Sequence, residues 1–184
     1  MKTLVMYVVL LFWAGVSQAQ EIEELKEAKV GFAPLSSEVV RDGDSYSFKV
    51  NETYQGQFEK DPIAFMETYF DIGNFISSVK GEEYDSYLVT LRSKKGNLKA
   101  DFDKEGNLVR TSERFKDILL PEELRDQLLK DHEGWTMVKN VHVSTARDGI
   151  VNKDLYRIKL EKGDQRKNVK IDMTAAEGSI VVSN

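Results

Sequence analysis

Apolar and polar residues alternate along three consecutive stretches near the middle of the chain. The stretches are Tyr87–Leu91, Leu98–Phe102 and Val109–Phe115. A period of two places one set of side chains inward and the other towards water, as in an antiparallel sheet that is covered on one face. Between them, Lys95–Asn97 and Lys104–Asn107 contain glycine and asparagine, which tolerate positive φ. The pattern therefore predicts three antiparallel strands joined by two hairpin turns.

Two segments have the pattern of amphipathic helices that begin at a proline. In the first, Asp61 can cap the helix and Pro62 can occupy its first turn, and apolar residues recur at helical spacing up to Gly73. These apolar residues are Ile63, Phe65, Met66, Tyr69 and Phe70. The second helix is predicted to begin at Pro121, with acidic residues in its first turn, and to end near Gly134. We expect each helix to bury its apolar stripe against a sheet.

Further strands are predicted on both sides of these segments. Residues 20–60 are predicted to form an N-terminal β extension, whose hairpin turns at Arg41–Asp44. A short strand is predicted at Phe75–Val79. Four strands are predicted after the second helix, at Trp135–Val143, Leu155–Leu160, Val169–Met173 and Ile180–Val182. The first of these four is predicted to contain a bulge near Lys139.

Part of this pattern occurs twice in the chain. Three pairs of segments match: Tyr87–Leu91 with Tyr156–Leu160, Phe102-Asp103 with Ile171-Asp172, and Gly106–Val109 with Gly178–Val181. Each copy follows a helix that begins at a proline, so the chain is predicted to contain two αββββ units, residues 61–118 and 119–184. Helices on one face of an antiparallel sheet place the protein in the α+β class.

Four motifs distributed over both units form a recognisable set. They are Gly96-x-Leu-x-Ala-x-Phe-Asp-x-x-Gly106-Asn-Leu-Val-x-Thr111, Glu113-x-Phe-Lys-x-Ile-x-Leu-Pro121, Gly134-Trp135 and Tyr156-x-Ile-x-Leu. This set resembles the PepSY-like secreted bacterial proteins, which are related in fold to the β-lactamase inhibitor protein, and the resemblance covers about residues 70–183. It implies tandem helix-on-sheet repeats and a binding or inhibitory role outside the cytoplasm. It implies no catalytic residues.

Residues 1–19 have the pattern of a secretory signal peptide. Lys2 is followed by an apolar run from Leu4 to Val16 and then by the small residues Ser17 and Ala19. The apolar run is short for a membrane span, so a membrane anchor is the less favoured interpretation. Cleavage is expected after Ala19. The mature chain is then expected in the bacterial periplasm or outside the cell, without a membrane span.

Composition narrows the classes of function. The 184-residue chain has a formal net charge of −5, and loss of Lys2 on cleavage would make the mature chain more negative by one. This acidic balance and the predicted export argue against a nucleic-acid partner. The chain has no cysteine, which excludes disulfides, thiol nucleophiles and thiolate metal sites.

Residues with the potential for chemistry are few and scattered. His132 and His142 are not at metal-ligand spacing, and His132 is expected at a helix end, where it can interact with the helix dipole. Asp101–Glu105 resembles the first half of a calcium loop, but the twelfth position is Ser112 rather than an acidic residue. The sequence has no nucleophile elbow, Walker loop or dinucleotide-binding motif. It therefore predicts no catalytic residue, cofactor or metal site.

Basic residues cluster on or beside the predicted hairpins. They are Arg92, Lys94, Lys95, Lys99, Arg166, Lys167 and Lys170. Lysine at such positions protects sheet edges and keeps the surface solvated, and a group of basic residues can also steer a charged partner. Trp135 is a potential binding anchor, although its place after a helix-ending glycine favours packing under the second helix.

The leading functional hypothesis is a non-enzymatic module of the cell envelope that binds a protein or peptide through its sheet face or hairpin loops. One alternative is an exported hydrolase that uses carboxylates, which requires two acidic residues in a cleft and a raised pKa. Another is a carrier of a small apolar ligand, which requires an internal cavity. The sequence leaves open the partner, the oligomeric state, the biological process and whether the two units share one sheet.

Overall fold

The computed structural model describes residues 34–42, 44–79, 84–174 and 179–183. The predicted signal peptide, residues 20–33 of the predicted extension and Gly178 of the sequence repeat lie outside these residues. Cleavage after Ala19 therefore stays a prediction.

Nine strands form one sheet, in which each strand lies beside its neighbours in the sequence. They are β1 (Leu35–Asp42), β2 (Ser45–Val50), β3 (Ser86–Arg92), β4 (Gly96–Asp103), β5 (Leu108–Lys116), β6 (Thr136–Arg147), β7 (Ile150–Lys162), β8 (Gln165–Asp172) and β9 (Ser179–Ser183). All neighbouring pairs are antiparallel except β2 and β3, which are parallel because the intervening helical segment returns the chain to the same end of the sheet. Residues 61–118 and 119–184 thus contribute to a single sheet, and the α+β class is confirmed.

Four α-helices and a 3₁₀ turn (Glu52–Tyr54) occur in the described residues. The helices are α1 (Gln55–Lys60), α2 (Pro62–Tyr69), α3 (Ile72–Ser78) and α4 (Glu122–Asp131). The Asp61 carboxylate accepts a hydrogen bond from the Ala64 amide at 3.0 Å, which confirms the predicted cap of α2. Pro121 is the N-cap residue of α4, so this helix begins at Glu122, one position after the predicted start.

Two predictions about the helical region are wrong. Phe75–Val79, predicted as a strand, lies mostly within α3, because Asp71 caps a new helix by accepting from the Asn74 amide at 2.9 Å. The described part of residues 61–118 consequently contains three strands rather than the predicted four. The predicted β extension is also only partly correct, since its final residues form the 3₁₀ turn and α1.

The helices cover one face of the sheet. Ring contacts join α1–α3 to the strands: Phe58 to Phe115 at 5.4 Å, Phe48 to Phe70 at 5.3 Å and Tyr46 to Phe75 at 4.7 Å between centroids. The α4 side chains Leu124 and Leu128 belong to the same buried cluster, as do Ile158, Leu160 and Val169 of β7 and β8. We call this side, which includes Val89, Ala100 and Phe115, the helix-covered face. The opposite side, which includes Thr90, Lys99 and Arg114, is the open face, and no helix of the described residues packs on it.

Gly96 is required for a reason other than the predicted one. It lies in β4 with ordinary φ, whereas the glycine of the next turn, Gly106, has the expected positive φ of 87°. A Cβ atom on Gly96 would lie 2.1 Å from the carbonyl oxygen of Arg114 and 2.7 Å from the Phe115 ring. Glycine therefore permits the close approach of β5 and the packing of the Phe115 side chain over β4.

Asn140 fixes the connection that leads from β5 towards α4. Its side-chain amide donates to the Ile118 carbonyl at 2.8 Å, and its side-chain oxygen accepts from the Ile118 amide at 3.3 Å. Asp117, which precedes this link, has a φ of 53°. The predicted bulge in this part of β6 is confirmed, since the register shifts between Met137 and Lys139. The buried asparagine thus satisfies both backbone groups of Ile118 at the point where the chain leaves the sheet.

Replacement of Asn140 by alanine is expected to lower the free energy of unfolding by about 2–3 kcal/mol, because two buried backbone groups lose their partners. Urea denaturation followed by circular dichroism measures the change. Asn152→Ala, at an exposed position of β7, is the matched control and is expected to change stability by less than about 0.5 kcal/mol. Equal losses in both variants would contradict this role of Asn140.

Candidate binding surface

The open face carries rows of cationic side chains that cross neighbouring strands. Lys116 of β5, Val141 of β6, Arg157 of β7 and Lys170 of β8 lie side by side in one row. The three cations of this row are exposed and Val141 is half-buried. Antiparallel pairing brings side chains that are opposite each other to within about 5 Å between their Cβ atoms. Residues far apart in the sequence therefore form one continuous basic strip.

A second row lies next to the first. Lys139 of β6 is opposite Lys159 of β7, which in turn is opposite Asn168 of β8. Lysine thus faces lysine in this row, as Arg157 faces Lys170 in the first. Like charges directly opposite each other in a sheet are destabilising. The arrangement therefore reduces the stability of the protein unless an anion lies against it.

A groove of about 360 Å³ lies over β6–β8 on this surface. Its lining consists of Lys139, Val141, Arg157, Ile158, Lys159, Asn168, Val169 and Lys170. Half of these residues are cationic, and none is acidic. We call the groove with its lining residues the basic groove.

Most cations around the basic groove have no carboxylate partner. Lys159 pairs with Glu161 at 3.3 Å. Within the described part of the chain, Lys116, Lys139, Arg157 and Lys170 form no ion pair. This local excess of positive charge occurs in a chain whose formal net charge is −5. Glu161, which pairs with Lys159, and Asp172, two residues from Lys170 in β8, lie beside the groove, and the cations without an ion pair suit the basic groove to an anionic ligand.

An apolar strip adjoins the cations. Val141 and Val143 are half-buried in β6, and Leu155 of β7, opposite Val143, is only 3% exposed. All three side chains lie on the open face. Leu155 is therefore covered, and the accessible apolar surface beside the cations comes from Val141 and Val143. A binding site can use the charges to steer a partner and the apolar surface to gain affinity.

The predicted group of basic hairpin residues does not form one patch. Lys94 pairs with Glu52 at 2.6 Å and Lys95 with Glu59 at 3.3 Å, while Arg166 pairs with Glu161 at 3.2 Å. The Lys167 ammonium lies 4.8 Å from the centre of the Trp135 ring. Lys170 is the only one of the seven that lines the basic groove, and Arg92 and Lys99 are exposed elsewhere on the open face.

The remaining groove residues were missed by the sequence interpretation. The sequence does contain a signal for such residues. Arg157 and Lys159 are two residues apart in a predicted strand, and Arg114 and Lys116 are two residues apart in β5. Such spacing places two cations on the same face of a strand. The order of the strands is needed to bring the pairs together. Trp135 packs half-buried against the core cluster, as the favoured interpretation predicted.

A second group of polar residues lies on the helix-covered face. His142 of β6 contacts the Asp154 carboxylate of β7 at 2.7 Å, and its ring stacks on Tyr156 at 4.3 Å between centroids. Glu113 of β5 is 5% exposed, and burial raises its pKa to about 7. His142 lowers the pKa of Glu113, whereas Asp154 and Asp61 raise it. Burial also raises the pKa of Tyr156.

These residues bear on the carboxylate-hydrolase alternative. Glu113 and Asp154 lie on strands separated by β6, where Ser144 is opposite both. Two strand spacings place their Cα atoms roughly 10 Å apart. One requirement, the raised pKa, is met. Neither the basic groove nor a second groove of about 570 Å³, lined by Pro34 and residues 67–72, contains Glu113, His142 or Asp154.

The other candidate residues, His132, Asp101 and Asp103, are buried or hydrogen-bonded within the fold. His132 follows α4, where its amide donates to the Leu128 carbonyl, and its side chain is buried. Asp103 accepts from the amide and the side chain of Asn107, both at 2.8 Å, which holds the pKa of Asp103 below its usual value. Asp101 pairs with Arg110 at 2.6 Å. Among residues with described placement, no three histidine or acidic side chains are grouped to hold a metal ion.

Comparison of the chain with protein-family models, with curated proteins and with solved structures finds no match in any of the three. In the described ranges, no helix combines the length and the apolar composition that a membrane span requires.

Proposed function

We propose that this chain is an exported, non-enzymatic binding module of the bacterial cell envelope, which engages a protein or peptide through the open face of its sheet. The observation that carries the proposal is the basic groove, where cations without partners adjoin an apolar strip. Charge clustering of this kind costs folding stability, and binding of a complementary partner offsets that cost. Export is supported by the signal-peptide pattern of residues 1–19.

We further propose that the module is a tandem repeat of the PepSY-like type. Supporting this, the register of β3 with β4 matches that of β7 with β8: Tyr87 is opposite Phe102 as Tyr156 is opposite Ile171, and Val89 is opposite Ala100 as Ile158 is opposite Val169. Each pair lies 69 positions from its counterpart, the same offset as in the sequence repeat.

The two units differ in the strand that precedes this matched pair. β6 lies beside β7 and is antiparallel to it, whereas β3 has the parallel β2 as its neighbour in the same position. The residues of the first unit that would correspond to β6 form α2 and α3 instead. On this proposal, the N-terminal hairpin completes the first unit by supplying the strand that its own sequence lacks.

The binding proposal is tested by capture of envelope proteins on the immobilised mature chain, Gln20–Asn184. The double variant Arg157→Glu/Lys170→Glu is expected to lose a specific partner that the unaltered chain retains, because two cations of the basic groove become anions. Lys104→Glu/Lys130→Glu, at exposed positions off the open face, changes the net charge equally and is expected to retain the partner. A partner lost equally from both variants, or retained by both, would contradict binding through this surface.

A carboxylate-dependent hydrolase is the second candidate, favoured by the buried Glu113 near Asp154. In that case Glu113 would act as the proton donor, since its pKa of about 7 leaves it partly protonated at neutral pH. The carrier of a small apolar ligand is a third candidate, but the ring contacts between α1–α3 and the sheet give it no specific support.

A further inference from the structure

We propose that the basic groove binds an extended acidic polypeptide segment in which two carboxylates, two residues apart, are followed after two more residues by an apolar side chain. This inference rests on the proposed binding function and names the chemistry of the partner.

The spacing of the cations matches the period of an extended chain. Arg157 and Lys159 are two residues apart on the open face of β7, so their side chains leave the sheet about 6.5–7 Å apart. A segment that lies along β7 in the extended conformation presents alternate side chains to the sheet at the same interval. Carboxylates at positions i and i+2 of the segment therefore meet Lys159 and Arg157 in turn.

A second cation, on a neighbouring strand, lies beside each of these two positions. Lys139 is opposite Lys159, and Lys170 is opposite Arg157, so each carboxylate has two cations within reach. An arginine guanidinium and a lysine ammonium supply several donors that are not taken up by ion pairs with the described residues. Lys159 also pairs with Glu161, and the incoming carboxylate shares the Lys159 ammonium with that side chain.

The apolar strip defines the third position. Continuing along β6 in the same direction, the open face passes from Lys139 through Val141 to Val143. Both valines are half-buried and retain accessible apolar surface. A side chain at position i+4 of the segment meets Val143 and buries part of that surface, which fixes the register of the segment on the sheet.

The composition of the groove distinguishes this ligand from other anions. The lining contains no aromatic side chain, which single-stranded nucleic acids use for base stacking. Val141 lines the groove with its side chain, whereas the side chains of Ile158 and Val169 belong to the buried core cluster, and the lining includes no aromatic or leucine side chain of the kind that enters a lipid surface. A polypeptide with both charge and small apolar side chains is complementary to both features.

Fluorescence anisotropy with a labelled peptide that contains two Glu-Thr-Glu-Thr-Val repeats tests the inference on the mature chain. Binding is expected at low ionic strength and is expected to weaken about tenfold or more in Arg157→Glu/Lys170→Glu, because attraction becomes repulsion at the carboxylate position that these two cations share. Lys104→Glu/Lys130→Glu is the control of equal charge and is expected to bind as the unaltered chain does. Circular dichroism and thermal unfolding verify that each variant is folded.

A peptide of altered charge tests the inference by a gain of binding to the variant rather than by a loss. A peptide with lysine in place of the second glutamate of each repeat, the one that meets Arg157 and Lys170, is expected to bind Arg157→Glu/Lys170→Glu more tightly than the unaltered chain. The neutral variant Arg157→Gln/Lys170→Gln is expected to bind the acidic peptide with intermediate affinity. A peptide with the same residues in shuffled order, which breaks the two-residue spacing, is expected to bind more weakly than the repeat.

Several results would overturn the inference. One is equal binding of the ordered and shuffled peptides; another is tighter binding of phosphatidylglycerol vesicles or of heparin than of the peptide, which would assign the groove to a lipid surface or a polyanion. If no peptide binds but the groove variant still loses a captured envelope protein, the acidic-segment inference is wrong and the proposed binding function stands. If neither peptide nor captured protein depends on the groove, both are wrong.

Discussion

Replacing Glu113 by glutamine is expected to remove a pH-dependent loss of stability between about pH 4.5 and about pH 7. The ordinary pKa of this glutamate is 4.5, and burial raises it to about 7 in the folded protein. Below pH 4.5 the carboxyl is protonated in both states and does not affect their balance. As the pH rises, the unfolded chain loses this proton first, so the folded state becomes less stable, and the loss is complete above about pH 7.

The difference between the two pKa values corresponds to about 3 kcal/mol in the free energy of unfolding. The stability of Glu113→Gln relative to the unaltered chain is therefore expected to rise by about this amount between pH 4.5 and pH 8. Urea denaturation at intervals of pH measures both curves. Glu105→Gln, at an exposed turn, is the matched control, and its curve is expected to parallel that of the unaltered chain. Parallel curves for Glu113→Gln would contradict burial as the cause of the raised pKa.

Replacing Phe58 by alanine is expected to lower the free energy of unfolding by about 4 kcal/mol, the largest effect of a single substitution that we predict. Phe58 is 0% exposed in α1, and its ring contacts Phe65 at 5.3 Å and Phe115 at 5.4 Å between centroids. Its removal leaves a cavity between the helices and β5 that the rigid neighbouring rings cannot fill.

Thermal and urea unfolding measure the effect of this substitution. Phe58→Leu retains most of the buried volume and is expected to cost about half as much or less. Phe75→Ala, in α3, provides a comparison in which the ring is also buried against aromatic neighbours. A loss below about 1 kcal/mol in Phe58→Ala would show that α1 does not hold the helices to the sheet.

The sheet was largely predictable because its signals are local. The alternation in β3, β4 and β5 has a period of two, and the inward set, such as Val89, Ala100 and Phe115, is the set that the structure buries. The capped start of α2 was predictable for the same reason, since Asp61 and Ala64 are three residues apart. These features depend on residues that are neighbours in the chain.

The errors occur where a local signal is ambiguous. Phe75–Val79 is a short apolar run, and such a run suits a buried strand as well as a helix. Its helical state is decided by the Asp71 cap and by the contact of the Phe75 ring with Tyr46, a residue of β2. Phe58 was missed as a core residue because α1 has six residues, too few for a clear helical period.

The sequence by itself determined most of the strands, the two helix starts marked by proline and the absence of cysteine chemistry, since each follows from residue types and short spacings. Only the tertiary structure decided that one sheet contains all nine strands, that Glu113 is buried beside His142 and Asp154, and that Lys139, Arg157, Lys159 and Lys170 share a groove. The reason is physical. Alternation assigns a residue to a face, but strand order and register decide which charges become neighbours, and these depend on contacts between distant segments.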